Sequence, residues 1–309
     1  MVKNLKTILL GVLIILSTIA KNEGKDQIEN KEHEHHQITE ITIDDAKYQA
    51  SLRLVSLETT KGYGHGHICA GSIITQRVIL TAAHCVMDTT KKPPADRKPQ
   101  EFVVVVGSAN LYDEKNNKTL QYNVEKISKH KSFDWKTYKN DIAMIYLNDS
   151  IPWTWPTAKA ISLNTKLLPE AKMCKTTGWE RTEENCTPTK LVADTLPIIS
   201  YESCKALNAN ATQSVICGGC GRDDVDEEYC REDAGASLVC DDQLAGVGFR
   251  VDKCGTFSNP GVFMNVSVYH DWIVKTNNTF YNKNSAKGLG ASYVHMLILL
   301  CSVFSYKLF

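Results

Sequence analysis

The sequence predicts an all-β fold closed by one C-terminal helix. Two patterns carry this. Between residues 41 and 278 lie many short runs rich in Val, Ile, Thr and Tyr, such as 101–106 and 143–147, separated by clusters of Gly, Pro, Asn and Asp. Only one stretch, 266–276, carries a helical spacing, with Val268, Trp272 and Ile273 expected on one face. No segment repeats at a fixed period.

The flanks differ from this middle. Residues 1–20 have a basic start (Lys3, Lys6), an apolar run over 8–16, and small Thr18 and Ala20 at the spacing of a signal-peptidase site. The run is shorter than the roughly 20 apolar residues a spanning helix needs, so a secretory signal is expected rather than a membrane anchor. Residues 21–40 are almost wholly polar and read as a flexible arm. His33, His35 and His36 within it could share a metal ion but lack the spacing of a regular site, so a solvated polar tail is the expectation and no metal or cofactor is assigned.

After a linker from residue 279, the end of the chain, 293–309, is apolar but broken by His295, Ser302, Ser305 and Lys307. The small residues Asn284, Ser285 and Ala286 precede a short spacer. That order reads as a lipid-anchor signal, with a membrane helix or an ordinary amphipathic terminus as alternatives.

Lysine plus arginine equals aspartate plus glutamate at 35 each, which gives no reason to expect a nucleic-acid partner. The 11 cysteines suit an oxidising compartment. Sequons at Asn117, Asn148, Asn185, Asn210, Asn265 and Asn277 are candidate glycan acceptors on a secretory route.

Chemistry is concentrated in a few motifs. Cys69-Ala70-Gly71-Ser72 and then Thr81-Ala82-Ala83-His84-Cys85 bracket an apolar run, and Asn140-Asp141-Ile142-Ala143-Met144 opens another. Gly178-Trp179 and Pro260-Gly261-Val262-Phe263 follow. These segments resemble the trypsin and chymotrypsin family in the family's own order. The resemblance implies two six-stranded antiparallel β-barrels, about 41–157 and 158–265, then the helix at 266–276, with the site in the cleft between the barrels.

In that family a histidine acts as general base to a serine hydroxyl, and an aspartate fixes the imidazole tautomer. The resemblance puts His84 and Asp141 in those roles. The family's Gly-Asp-Ser-Gly-Gly-Pro loop aligns without a gap to the stretch between Cys230 and Cys240, where Ala234 stands at the serine position. A methyl group has no lone pair to attack a carbonyl, so no active catalytic residue set is expected. Glu232 falls at the oxyanion-hole position and brings an acid to where negative charge would develop.

Phe249-Arg250-Val251 align with the family's Ser-Trp-Gly segment. There Val251 would crowd the pocket mouth and Phe249 cannot donate the serine's hydrogen bond. Glu228 takes the position that sets primary specificity. Glu40 precedes Ile41-Thr42-Ile43-Asp44 at the expected activation junction, without the usual basic residue or glycines, so Asp233 is expected to lack an ion-pair partner.

The resemblance also implies disulfides Cys69–Cys85, Cys174–Cys240, Cys204–Cys217 and Cys230–Cys254. Removal of a tail containing Cys301 leaves Cys186 and Cys220 as a fifth pair. The expected role is a secreted, non-catalytic homologue of a serine protease, with a protease, inhibitor or receptor as protein partner. In arthropods such homologues include cofactors of protease cascades in immunity and melanisation, and proteins of seminal fluid. A residual hydrolase and an adhesive surface protein are the alternatives.

Overall fold

A computed structural model describes residues 39–114, 117–179, 189–207, 212–219, 234–249 and 260–282 of the 309-residue chain. Expectations on the secretory signal, the polar arm up to residue 38, the apolar tail, Asn185 and Asn210 lie outside them.

Six strands close the first barrel: β2 (Gln49–Leu54), β3 (His67–Thr75), β4 (Val78–Thr81), β7 (Phe102–Val106), β8 (Leu120–Lys129) and β9 (Ala143–Leu147). They pair in the order β2, β3, β4, β9, β8, β7 and back to β2. The β-branched run of β7 and the apolar run of β9 are buried at every residue, as strands covered on both faces should be. A small two-stranded hairpin, β5 (Met87–Asp88) and β6 (Ala95–Asp96), hangs from this barrel.

The second sheet runs in the order β12 (Val192–Pro197), β11 (Met173–Gly178), β14 (Ser237–Cys240), β15 (Gln243–Gly248), β16 (Gly261–Asn265) and β13 (Val215–Gly218). Its two ends meet at a single bridge between Ile198 and Gly218. There the Ile199 N–H donates to the Cys217 carbonyl and the Gly219 N–H to the Pro197 carbonyl, each at 3.0 Å. The expected second six-stranded barrel is thus an open path of six strands drawn together at one point, without the full ladder that closes the first. β10 (Ser162–Leu163) adds in parallel to β15. The β14–β15 turn places Asp241 and Asp242 at φ 49° and 58°, a left-handed pair that suits a tight hairpin and that aspartate tolerates.

β1 (Thr39–Glu40) corrects the expected start of the domain. It pairs with Ala193 and Val192 of β12, the Ile41 N–H donates to the Leu191 carbonyl at 3.0 Å, and the Ile41 side chain packs on the cluster around Trp179 and Leu191. The Glu40–Ile41 peptide therefore lies inside a strand ladder, and the fold begins before residue 41.

The terminal helix, α3 (266–282), runs further than the expected 276. Its buried face is Val266, Tyr269, Ile273 and Phe280. Val268, expected inward, is 49% exposed, and Trp272 is half-buried. The inward set recurs at intervals of three, four and seven, which fixes the stripe one position away from the one Val268 would require. Asn265 caps this helix: its Oδ1 accepts from the Ser267 N–H and hydroxyl. The residue is 6% exposed, so the Asn265 sequon is buried at the helix start it caps. Asn117 and Asn148 are exposed, and Asn277 is half-buried within α3.

Two helices were not foreseen, α1 (Val55–Lys61) and α2 (Tyr201–Leu207). At 7 residues each they are too short to show a period. No helix among the described residues is long and apolar enough to cross a membrane. Three of the expected disulfides are formed, Cys69–Cys85, Cys174–Cys240 and Cys204–Cys217, and they fit an oxidising compartment.

The largest core cluster fills the first barrel and continues through Leu244, Val247 and Met264 to Val266, Tyr269 and Ile273 of α3. The helix is therefore part of the core. Ile273→Ala should cost about 2–5 kcal/mol, whereas Val268→Ala should stay within about 0.5 kcal/mol of wild type, as urea unfolding of the two variants will read.

Candidate active-site cleft

β4 ends at Thr81, and the buried Ala82 and Ala83 lead into a short turn that begins at His84. The next residue, Cys85, is tied to Cys69 on β3, which fixes the turn to the barrel wall. The His84 N–H donates to Asp141 Oδ1 at 2.8 Å, and His84 Nδ1 lies 2.7 Å from Asp141 Oδ2. A carboxylate accepts, so Nδ1 carries the proton and Nε2 is left as the basic nitrogen. Asp141 is fully buried, while the His84 side chain keeps 14% of its surface open.

Asn140 aims the aspartate. Its backbone is left-handed at φ 57°, a conformation asparagine accepts more readily than most residues. Its side-chain amide is held at both ends, Nδ2 donating to the Ser132 carbonyl at 2.9 Å and Oδ1 accepting from the Tyr269 hydroxyl at 3.1 Å. Burial raises the Tyr269 pKa, the hydrogen bond with the Ser214 side chain opposes this, and the Asp141 charge adds to the rise, so the phenol stays a donor. Helix α3 thereby anchors the loop that presents Asp141. The sequence named Asn140 only as the start of the Asp141 motif and did not point to Tyr269, since their pairing depends on a contact spanning 129 positions.

Ala234 is half-buried, and its carbonyl accepts from the Ala70 N–H of β3 at 2.8 Å. Gly235 follows at φ 83°, its N–H donating to the Gly248 carbonyl at 2.7 Å. A Cβ at Gly235 would stand 2.1 Å from the Ala70 carbonyl oxygen and 2.5 Å from Thr81 Oγ1. Only glycine allows this approach. The backbone at 234–235 is thus wedged against the strands that carry His84.

Phe249 leaves the end of β15 and stacks on Tyr138 at 6.0 Å between ring centroids. Tyr138 in turn sets its ring nearly perpendicular to His84 at 5.6 Å. Tyr138 belongs to the loop ahead of Asp141, so an aromatic contact joins the two walls beside His84. It was missed in the sequence, where no local pattern marks it. Cys69, His84 and Cys85 bring their ligand atoms within 4.8 Å of one another, but the two sulfurs are bonded together and neither is available as a thiolate. Glu228, Glu232, Asp233, Arg250, Val251 and the pairs Cys230–Cys254 and Cys186–Cys220 lie outside the described residues.

A model of the family described as Trypsin matches residues 37–273. The chain belongs to the trypsin family. The match begins ahead of Ile41, in keeping with β1 as part of the fold. Among its relatives, trypsin zeta of Drosophila erecta is 28% identical over 275 residues, covering 84% of this chain and 93% of that protein. Trypsin zeta of Drosophila melanogaster is 30% identical over 235 residues, covering 73% and 79%. Coagulation factor XII of Sus scrofa is 29% identical over 231 residues, 68% of this chain but 36% of that longer protein. Among solved structures, neuropsin, a serine protease from mouse brain, superposes with a TM-score of 0.63 at 24% identity over 78% of this chain and 98% of its own, a likeness of fold.

Two outcomes check this trypsin-family cleft. Gly235→Ala should destabilise the chain by about 3 kcal/mol or more, because both the backbone angle and the Ala70 carbonyl forbid a Cβ; denaturant unfolding reads it. The second concerns His130, which contacts Tyr269 and Trp272 and whose pKa burial holds below 6.5. As pH falls through 6.5 the unfolded chain takes up this proton first. The His130 contribution is therefore complete above that pH, declines below it, and levels off beneath the folded pKa. A His130→Gln variant should show a flatter stability profile between pH 7 and pH 5, roughly the window in which histidine titrates.

Proposed function

We propose that this trypsin-family chain acts by binding a protein and not by cutting one. The observation that carries the reading is Ala234, which stands where the resemblance expects a nucleophile. His84 and Asp141 form the pair that would activate a hydroxyl, yet a methyl group offers no proton for Nε2 to take and no oxygen to attack a carbonyl. Glu232, at the expected oxyanion position, would oppose the negative intermediate, and Val251 would crowd the pocket mouth. The Tyr138–Phe249 stack puts two further aromatic rings beside His84.

A protease-like surface without turnover suits competition or scaffolding. The partner class is an active protease, an inhibitor or a receptor, in an extracellular protease cascade or in reproduction. The signal-like first 20 residues support secretion, and the apolar tail supports attachment to the outer cell surface.

A second reading, a residual hydrolase using water activated by His84, is favoured by the intact His84–Asp141 pair. Ala234→Ser separates the two. If the cleft as a whole has lost its chemistry, the variant hydrolyses peptide esters no faster than buffer. Turnover by the variant, abolished by adding His84→Ala, would show that one missing oxygen is all that silences it, and His84-dependent hydrolysis by the wild-type chain would favour the enzyme class.

A further inference from the structure

The loop joining β8 to β9 stands out in a chain with no net charge. Residues 126–139 hold five lysines and one aspartate. Two of the lysines are engaged: Lys126 lies over the Tyr146 and Phe280 rings, and Lys129 pairs with Asp96. Lys131, Lys136 and Lys139 are exposed and form no ion pair among the described residues. Elsewhere several cations are matched, as in Arg77–Glu125, Arg97 with Asp88 and Glu101, Lys172–Asp241 and Lys190–Glu40, and the remaining lysines are scattered along the chain.

The single acid among residues 126–139 is turned to holding the shape of the loop. Asp134 Oδ1 accepts from the Lys136 N–H at 2.9 Å and Oδ2 from the Thr137 hydroxyl at 2.8 Å, while the Asp134 N–H donates to the Lys139 carbonyl at 3.0 Å. Asn140 ties the far end to Ser132. On this fixed turn Trp135 is 42% exposed, with Lys136 Nζ 5.8 Å from its ring centre. Tyr138 joins the same loop to His84. A large apolar ring amid three unmatched cations, on a turn that needs no reordering, has the anatomy of a binding hot spot with a charged rim.

We propose that residues 131–139 form a docking surface for an acidic polypeptide segment that brings an apolar side chain to Trp135. This rests on the reading of the chain as a binding protein and names the chemistry of its partner. A sulfated polysaccharide fits less well. Three lysines without ion pairs within nine residues of one turn offer a short patch, whereas a uniform polyanion gains by spreading over many cations. One aromatic anchor ringed by a few charges matches a short peptide.

The test uses the full secreted chain and a fluorescein-labelled peptide of glutamates flanking one phenylalanine, read by anisotropy. Binding is expected, weakening as salt is raised and absent for the same peptide with glutamines. Reversing Lys131, Lys136 and Lys139 together to Glu should weaken it by at least about tenfold, and Trp135→Ala by about tenfold. Lys159→Glu, at an exposed lysine outside the loop, should leave it unchanged. No binding, binding indifferent to the triple reversal, or binding only to a heparin-derived oligosaccharide would overturn the proposal. Ester hydrolysis by the wild-type chain would sink the non-catalytic reading and leave this surface standing, so the two fail separately.

Discussion

One backbone contact organises the cleft: the Ala234–Gly235 turn pressed against β3 and β15. The Ala70 N–H to Ala234 carbonyl bond and the Gly235 N–H to Gly248 carbonyl bond fix it on two sides, and the absence of a side chain at Gly235 lets it approach Thr81. Beside it runs a buried polar seam between the two sheets. Ser72 and Ser237 hydroxyls meet at 2.8 Å, and Gln49 Oε1 accepts from Ser237 and Thr177. Each of these groups is buried, so each would cost about 1–3 kcal/mol if its partner were lost. Because apolar contacts alone would tolerate sliding, it is these directional bonds that hold the strands bearing His84 and the turn bearing Ala234 in one register.

The same physics accounts for His84 and Asp141 without reference to turnover. A carboxylate with no exposed surface needs partners, and both hydrogen bonds that hold Asp141 among the described residues come from His84. Removing His84 would strand a buried charge, which typically costs several kcal/mol. The pair is thus a structural requirement of the loop after Asn140, and its presence is compatible with a site that does no chemistry.

Much of this was legible in the sequence because it is written in local signals. The runs at 102–106 and 143–147 are β-branched or apolar throughout and became fully buried strands, and the motifs around His84 and Asp141 brought those two side chains into hydrogen-bond contact. What was missed depends on long-range geometry. The inward face of α3 was read one position off because Val268 and Ile273 are both apolar, and only the packed barrel shows which is covered. Glu40–Ile41 looked like a free junction because β1 is two residues long and its partner strand lies about 150 positions away. Asn265 matched a sequon, yet the helix start it caps decides its fate. The Tyr138–Phe249 stack joins loops from different sheets, and neither residue signals the other.

Whether this cleft holds an activated oxygen is decided most directly by exposing the intact protein to a fluorophosphonate and mapping adducts by mass spectrometry. The account predicts no adduct that depends on His84. A hydroxyl in the chain that becomes phosphonylated in the wild type, and escapes when His84 is replaced by alanine, would contradict it.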